Sequence, residues 1–194
     1  MKSVVYFFLF SFLLTGCGNK SFERSNVETI FVTEKKETVL MSPKLLGKSI
    51  SEVQILEGTY SGKTYKMNSA LKMDAAEMRL IGFSDAVRLF TLVYDGEKIT
   101  SEFSAFFPKR AEMGPYILWD IQLIYYPISV IKKHLPEMEI KQQTLLNKTV
   151  RTIASDGKVI IEITYGLKEN VIEFKNLERG YSYKITQLEE DDNA

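Results

Sequence analysis

The sequence predicts a mainly β fold of the α+β class: an open antiparallel half-barrel of about nine to eleven strands, with a helical insertion covering the concave face. Three observations predict it. Apolar and polar residues alternate with period two through 65–74 and in later runs, the pattern of a half-buried strand. Asp95-Gly96 and Asp156-Gly157 fall between such runs, where a two-residue hairpin needs positive φ. One apolar stretch, residues 114–127, interrupts the strand pattern and is bounded by Pro115 and Pro127.

The elements follow in order. Residues 1–16 carry Lys2, then an apolar run from Val4 to Leu14, then small Thr15 and Gly16, the layout of a signal peptide. That run is too short for a comfortable membrane span. Residues 17–27 read as a polar tether after cleavage, residues 28–188 as one domain and residues 189–194 as a frayed acidic tail. Within the domain, 28–33 is a candidate first strand and 34–37 a charged turn. From Ser51 the period-two pattern runs to Met73, turns at Asp74, and continues through Met78–Phe83 and Val87–Tyr94. The chain returns from Glu97 to about Phe107, and Pro108 ends it.

Pro115 suits a first helical turn, so 114–127 reads as a helix; a buried strand is the alternative. Its only strongly polar residues, Asp120 and Gln122, lie far apart around a helix, so the segment has no wide polar face and must be buried. Pro127 to Leu135 suggests a second helix whose C-terminal Lys132, Lys133 and His134 complement its dipole. Four strands follow: 148–155, 158–165, 170–175 and 181–188. A two-residue turn at Asp156-Gly157 would set Arg151 opposite Glu162.

Composition excludes several classes of function. The 194 residues carry 25 basic and 25 acidic side chains, with no basic cluster of the kind nucleic acid requires. One cysteine and one histidine exclude an internal disulfide and a His-based metal centre, so no metal and no cofactor are expected. Gly82-Phe83-Ser84-Asp85-Ala86 lacks the second glycine of a nucleophile elbow, and no phosphate-cradling loop appears. No catalytic residue is assigned, and the protein is expected not to be an enzyme.

Leu14-Thr15-Gly16-Cys17 resembles the lipobox of bacterial lipoproteins. The resemblance implies that Cys17 becomes the acylated first residue of the mature chain; an ordinary secretory signal with a chance cysteine is the alternative. Two lipid signals suffice for stable anchoring. Gly18-Asn19 after the cysteine, rather than Asp, implies by the same resemblance the periplasmic face of the outer membrane.

Ile117-Leu118-Trp119-Asp120-Ile121-Gln122-Leu123, followed by Pro127, resembles the mark of a proteobacterial lipoprotein family known as domain of unknown function 3261. Trp119 replaces the usual alanine, while Asp120, Gln122, Leu123 and Pro127 match. Weaker matches are Arg88-Leu89-Phe90, Tyr94-Asp95-Gly96, Arg151, Tyr165 and Gly180-Tyr181. The resemblance implies a half-barrel similar to the LolA/LolB-type lipoprotein carriers and an acyl-type cargo such as an aryl polyene. Met67, Leu71, Met73, Met78, Leu80, Phe90, Tyr116, Trp119 and Leu123 are then the candidate cavity-lining residues, methionine being suited to irregular apolar walls. The competing expectation is a structural or adaptor lipoprotein, its barrel filled by its own side chains, acting through envelope proteins.

Overall fold

The computed structural model describes residues 21–26, 29–60, 63–85, 87–105, 113–167 and 170–188. The expected signal peptide, Cys17, the acidic tail and the stretch around Pro108 lie outside them. In chain order the elements are β1 (Ser21–Asn26), the small pair β2 (Ile30–Phe31) and β3 (Glu37–Thr38), β4 (Ile50–Tyr60), β5 (Lys63–Met73), β6 (Met78–Ser84), β7 (Val87–Tyr94), β8 (Lys98–Phe103), α1 (Met113–Tyr125), α2 (Ile128–His134), β9 (Glu139–Leu145), β10 (Lys148–Ser155), β11 (Lys158–Gly166), β12 (Val171–Asn176) and β13 (Tyr181–Leu188).

Eleven of the strands form one antiparallel sheet in the order β1-β8-β7-β6-β5-β4-β13-β12-β11-β10-β9. The sheet is not closed: β1 and β9 are its two edges. Its central joint is β4 against β13, in register from Tyr60↔Tyr181 to Val53↔Leu188. This joint unites two meanders separated by the helical insertion. The predicted half-barrel class therefore holds, and the apolar insertion is helical.

Alternation sets the buried face. Along β5, Leu71 and Met73 point inward and are buried, as are Met78 and Leu80 on β6 and Leu92 and Tyr94 on β7. Each such side chain contributes about 1.5–3 kcal/mol by leaving water. The outer positions between them are polar or part-exposed. Asp156 (φ 52°) and Gly157 (φ 78°) make the tight turn that the Asp-Gly pair predicts. Asp95 instead stays at negative φ and accepts hydrogen bonds from the Glu97 and Lys98 amides through Oδ1, making a wider turn.

Three expectations are corrected. Ser21–Asn26, expected to be tether, pairs along β8 and covers what would be an open edge; its interaction is through backbone groups, which composition does not reveal. The candidate strand at 28–33 shrinks to β2, which turns back on β3. The β10–β11 register slips at Ile153/Ala154, so Arg151 faces Ile163 rather than Glu162, and Glu162 instead meets Lys175 of β12. A bulge adds one residue to one strand and re-aims a side chain; here it is compatible with an inward Arg151.

Candidate functional site

The site is built around α1, which lies in the trough of the sheet. Its apolar residues Leu118, Trp119, Ile121, Leu123 and Ile124 are buried on all sides. Three polar links fasten it. Gln122 accepts a hydrogen bond from the Met41 amide (2.8 Å) and donates to the Met41 carbonyl (2.6 Å), satisfying both backbone groups of that residue. The coil before β4 is thereby tied to the helix. Tyr126 adds a hydrogen bond to the Ser42 carbonyl.

At the C-terminal end of α1, Arg151 reaches inward from β10. Its Nη1 donates to the carbonyls of Leu123, Ile124 and Tyr126, and its Nε to Gln142 Oε1. Tyr165 donates to the Ile124 carbonyl as well (2.7 Å). Helix C-termini leave four carbonyls without partners and carry partial negative charge, so a buried cation is well placed there. Among the described residues Arg151 has no carboxylate partner; the helix end takes that part.

Asp120 is only 4% exposed. Tyr181 of β13 donates to its Oδ2 at 2.7 Å, and Asn176 donates to the Tyr181 hydroxyl at 3.2 Å. Oδ1 has no hydrogen-bond partner among the described residues. Burial pushes the Asp120 carboxyl up to about 8, against the opposing pull of the Tyr181 hydrogen bond and of the Arg179 guanidinium. Arg179 itself stacks over the Tyr116 ring at 4.1 Å and donates to the Phe31 carbonyl. Tyr181 and Tyr183 are pushed well above the ordinary tyrosine range by burial, then by the neighbouring Asp120.

Residues 51–189 match the family described as "Protein of unknown function (DUF3261)". The chain belongs to that family. The match begins in β4 and ends just past β13, so the family region is the two meanders plus their helical insertion, with β1–β3 outside it. No curated protein matches the chain.

Within this DUF3261 chain the residues of the helix motif have separate structural tasks. Gln122 ties down the coil before β4, and Asp120 meets a side chain of β13. Pro127 precedes α2, its carbonyl accepting from the Val130 and Ile131 amides. His134 contacts Thr38 Oγ1 and the Val39 carbonyl, fixing β3 and the chain after it. No group of three potential metal ligands occurs among the described residues.

Seven of the nine candidate cavity-lining residues pack as core in this fold. Leu71, Met73, Met78, Leu80, Phe90, Trp119 and Leu123 are all buried in one hydrophobic cluster. The reason is the width of α1 with its large side chains, which occupies the trough that a cargo would need. Only Met67 and Tyr116 of the nine candidates remain part-exposed against that cluster. Two depressions of about 250 Å³ open on the described surface, and none of the nine residues lines either.

Two surface features escaped the sequence reading. One is the β9–β10 hairpin tip, where Leu146 is 96% exposed and Leu145 half exposed. Leu167, also half exposed, is joined to this tip by its amide donating to the Asn147 carbonyl. A leucine in a two-residue turn satisfies no local conformational need. The strand β9 itself went unread because most of its residues are exposed, leaving no apolar alternation.

The other is a polar network at the start of β4. Glu52 Oε2 accepts from Gln54 (2.8 Å), Tyr125 (2.8 Å) and Gln187 (2.9 Å), and Ser69 donates to Gln54 Oε1. Burial and the Glu52 carboxylate push the Tyr125 hydroxyl far above its ordinary value, so it remains a donor.

Proposed function

We propose that the protein is a non-enzymatic lipoprotein, anchored through Cys17 at the periplasmic face of the outer membrane, that acts as a structural or adaptor element through an envelope protein partner. The filled interior carries this reading. The trough holds α1, bolted by Gln122, Arg151 and Asp120, instead of an open acyl cavity.

What remains for recognition is surface, and the exposed leucines at 145, 146 and 167 form an apolar protrusion on it, Leu146 being the most exposed large hydrophobic side chain among the described residues. Strand directions place that tip at the end of the sheet opposite Ser21, since all neighbouring strands are antiparallel. Cys17 precedes Ser21 by four positions, a reach of about 14 Å at roughly 3.5 Å per residue. The anchor would hold the Ser21 end near the bilayer, and the leucine tip would face the periplasm roughly 25 Å away, the length of a strand like β10.

The acyl-cargo reading stands second, favoured by one observation. Leu56, Met67 and Tyr183 are part-buried neighbours on the inner face of the central strands, and Tyr65 beside them is exposed. Native mass spectrometry of the lipoprotein purified from its host decides between them. The adaptor reading expects the mass of the acylated chain alone. A co-purifying lipid at fixed stoichiometry would overturn it in favour of cargo. Anchoring is tested by Cys17→Ser, which should give unprocessed or soluble protein; normal processing and membrane attachment of that variant would refute the lipobox assignment.

A further inference from the structure

The second depression opens at the leucine-tip end of the sheet, between the start of β4, the end of α1 and the start of β12. Its lining includes Lys48, Glu52, Tyr125, Tyr165, Asn170 and Gln187. Its volume, about 250 Å³, falls just below the range of roughly 300–1,000 Å³ typical of small-molecule sites. That size suits a headgroup or a small metabolite and is too small for an acyl chain with its glycerol.

Two opposite charges line this depression without neutralising each other. Neither Lys48 nor Glu52 makes an ion pair with any described residue. Glu52 is held rigidly, because three donors converge on Oε2. Oε1 has no protein hydrogen-bond partner among the described residues. A carboxylate fixed through one oxygen, with the other open to solvent and without a protein partner, is a preorganised acceptor for a charged donor. The Tyr125 side chain supplies aromatic surface against which an ammonium group is favoured; the Tyr165 ring already carries the Arg151 guanidinium, 5.5 Å from its centroid. An anion alone would meet Glu52 and a cation alone would meet Lys48, so a ligand with both charges is selected over either.

We propose that this depression is a binding site for a small zwitterion, its ammonium on Glu52 Oε1 and its anionic group on Lys48. An ethanolamine phosphate group has this chemistry, whether free or as the headgroup of a phospholipid. The site uses none of the tip leucines, but it shares their end of the sheet, so under the anchoring reading a phospholipid headgroup reaches it from a membrane other than the anchoring one.

The test is an amide chemical-shift titration of the full mature lipoprotein in dodecyl maltoside, with O-phosphoethanolamine as probe. Saturable shifts are expected at Lys48, Glu52, Val171 and Gln187. Ethanolamine alone and inorganic phosphate alone should each bind at least tenfold more weakly. Lys48→Ala, an exposed position that leaves the fold intact, and the isosteric Glu52→Gln should each weaken the probe at least tenfold. A second arm uses nanodiscs of phosphatidylethanolamine or phosphatidylglycerol. Shifts confined to phosphatidylethanolamine identify a lipid headgroup as the source, and shifts with the free probe alone identify a soluble one. Absence of saturable shifts, equal binding of phosphate alone, or undiminished binding in both variants overturns the proposal.

Discussion

Asp120→Asn separates a structural carboxyl from its charge. In the fold this carboxyl titrates near 8, against 3.8 for the ordinary group, because burial disfavours the ion. The unfolded chain therefore releases a proton at about pH 4 that the native chain keeps until about pH 8. A raised carboxyl pKa makes its contribution to stability greatest in acid. Stability then falls as pH rises through that window, by about 1.4 kcal/mol per pH unit. Between pH 5 and pH 7.5 the wild type should lose about 3 kcal/mol from this group alone. Asparagine keeps an oxygen for the Tyr181 hydroxyl but has nothing to ionise. It also places an amide near the site where Oδ1 lacks a partner, so its absolute stability at one pH is not the informative quantity. The informative quantity is the difference between variant and wild type, measured by urea denaturation of the protein in non-ionic detergent from pH 4.5 to 9. It should shift in the variant's favour by about 1.4 kcal/mol per unit up to pH 7.5 and level off above 8. A difference that stays constant across the window would show that Asp120 titrates as an ordinary carboxylate and would sink the argument.

Arg151→Ala should destabilise by about 3–5 kcal/mol, because it strips the carbonyls at the end of α1 of their donor and leaves them buried; a loss under about 1 kcal/mol in denaturant midpoint would contradict the capping role. Gly82→Ala brings a Cβ to 2.5 Å from the Phe90 ring, and thermal unfolding should show about 1–3 kcal/mol of lost stability. Phe90→Leu in the same background should recover part of that loss; no loss at all would mean that the β6–β7 register shift at Gly82/Phe83 absorbs the methyl. Leu146→Gln should change stability by less than about 0.5 kcal/mol, as exposed substitutions do. If the leucine tip binds an envelope partner, in-cell crosslinking yields of the wild-type complex should fall in this variant without a fall in protein level.

Strand content, the helical nature of 114–127 and the burial of Leu71, Met73, Met78 and Leu80 were legible in the sequence, because each rests on a local period. A period of two places alternate side chains on one face, whatever lies across from them. The same reading could not tell a lined cavity from a packed core. Inward-facing methionines look identical in both, and only the seating of α1 in the trough decides. The task of Arg151 was likewise hidden. A one-residue bulge at Ile153/Ala154 turned a surface ion pair with Glu162 into an interior helix cap, and bulges leave no mark in composition. β1 and β9 have few apolar residues in alternation because edges are held chiefly by backbone hydrogen bonds.

The sequence by itself determined what depends on neighbours along the chain: an open antiparallel fold, one apolar helix at its middle and a family motif. The tertiary structure decided what depends on residues far apart. Residues separated by more than a hundred positions, Glu52 and Gln187, share one hydrogen-bond network because β4 pairs with β13. Asp120 became a buried carboxyl, its pKa raised by that burial, only when α1 packed against β13. Burial and charge environment are sums over such distant contacts, and no local pattern encodes them.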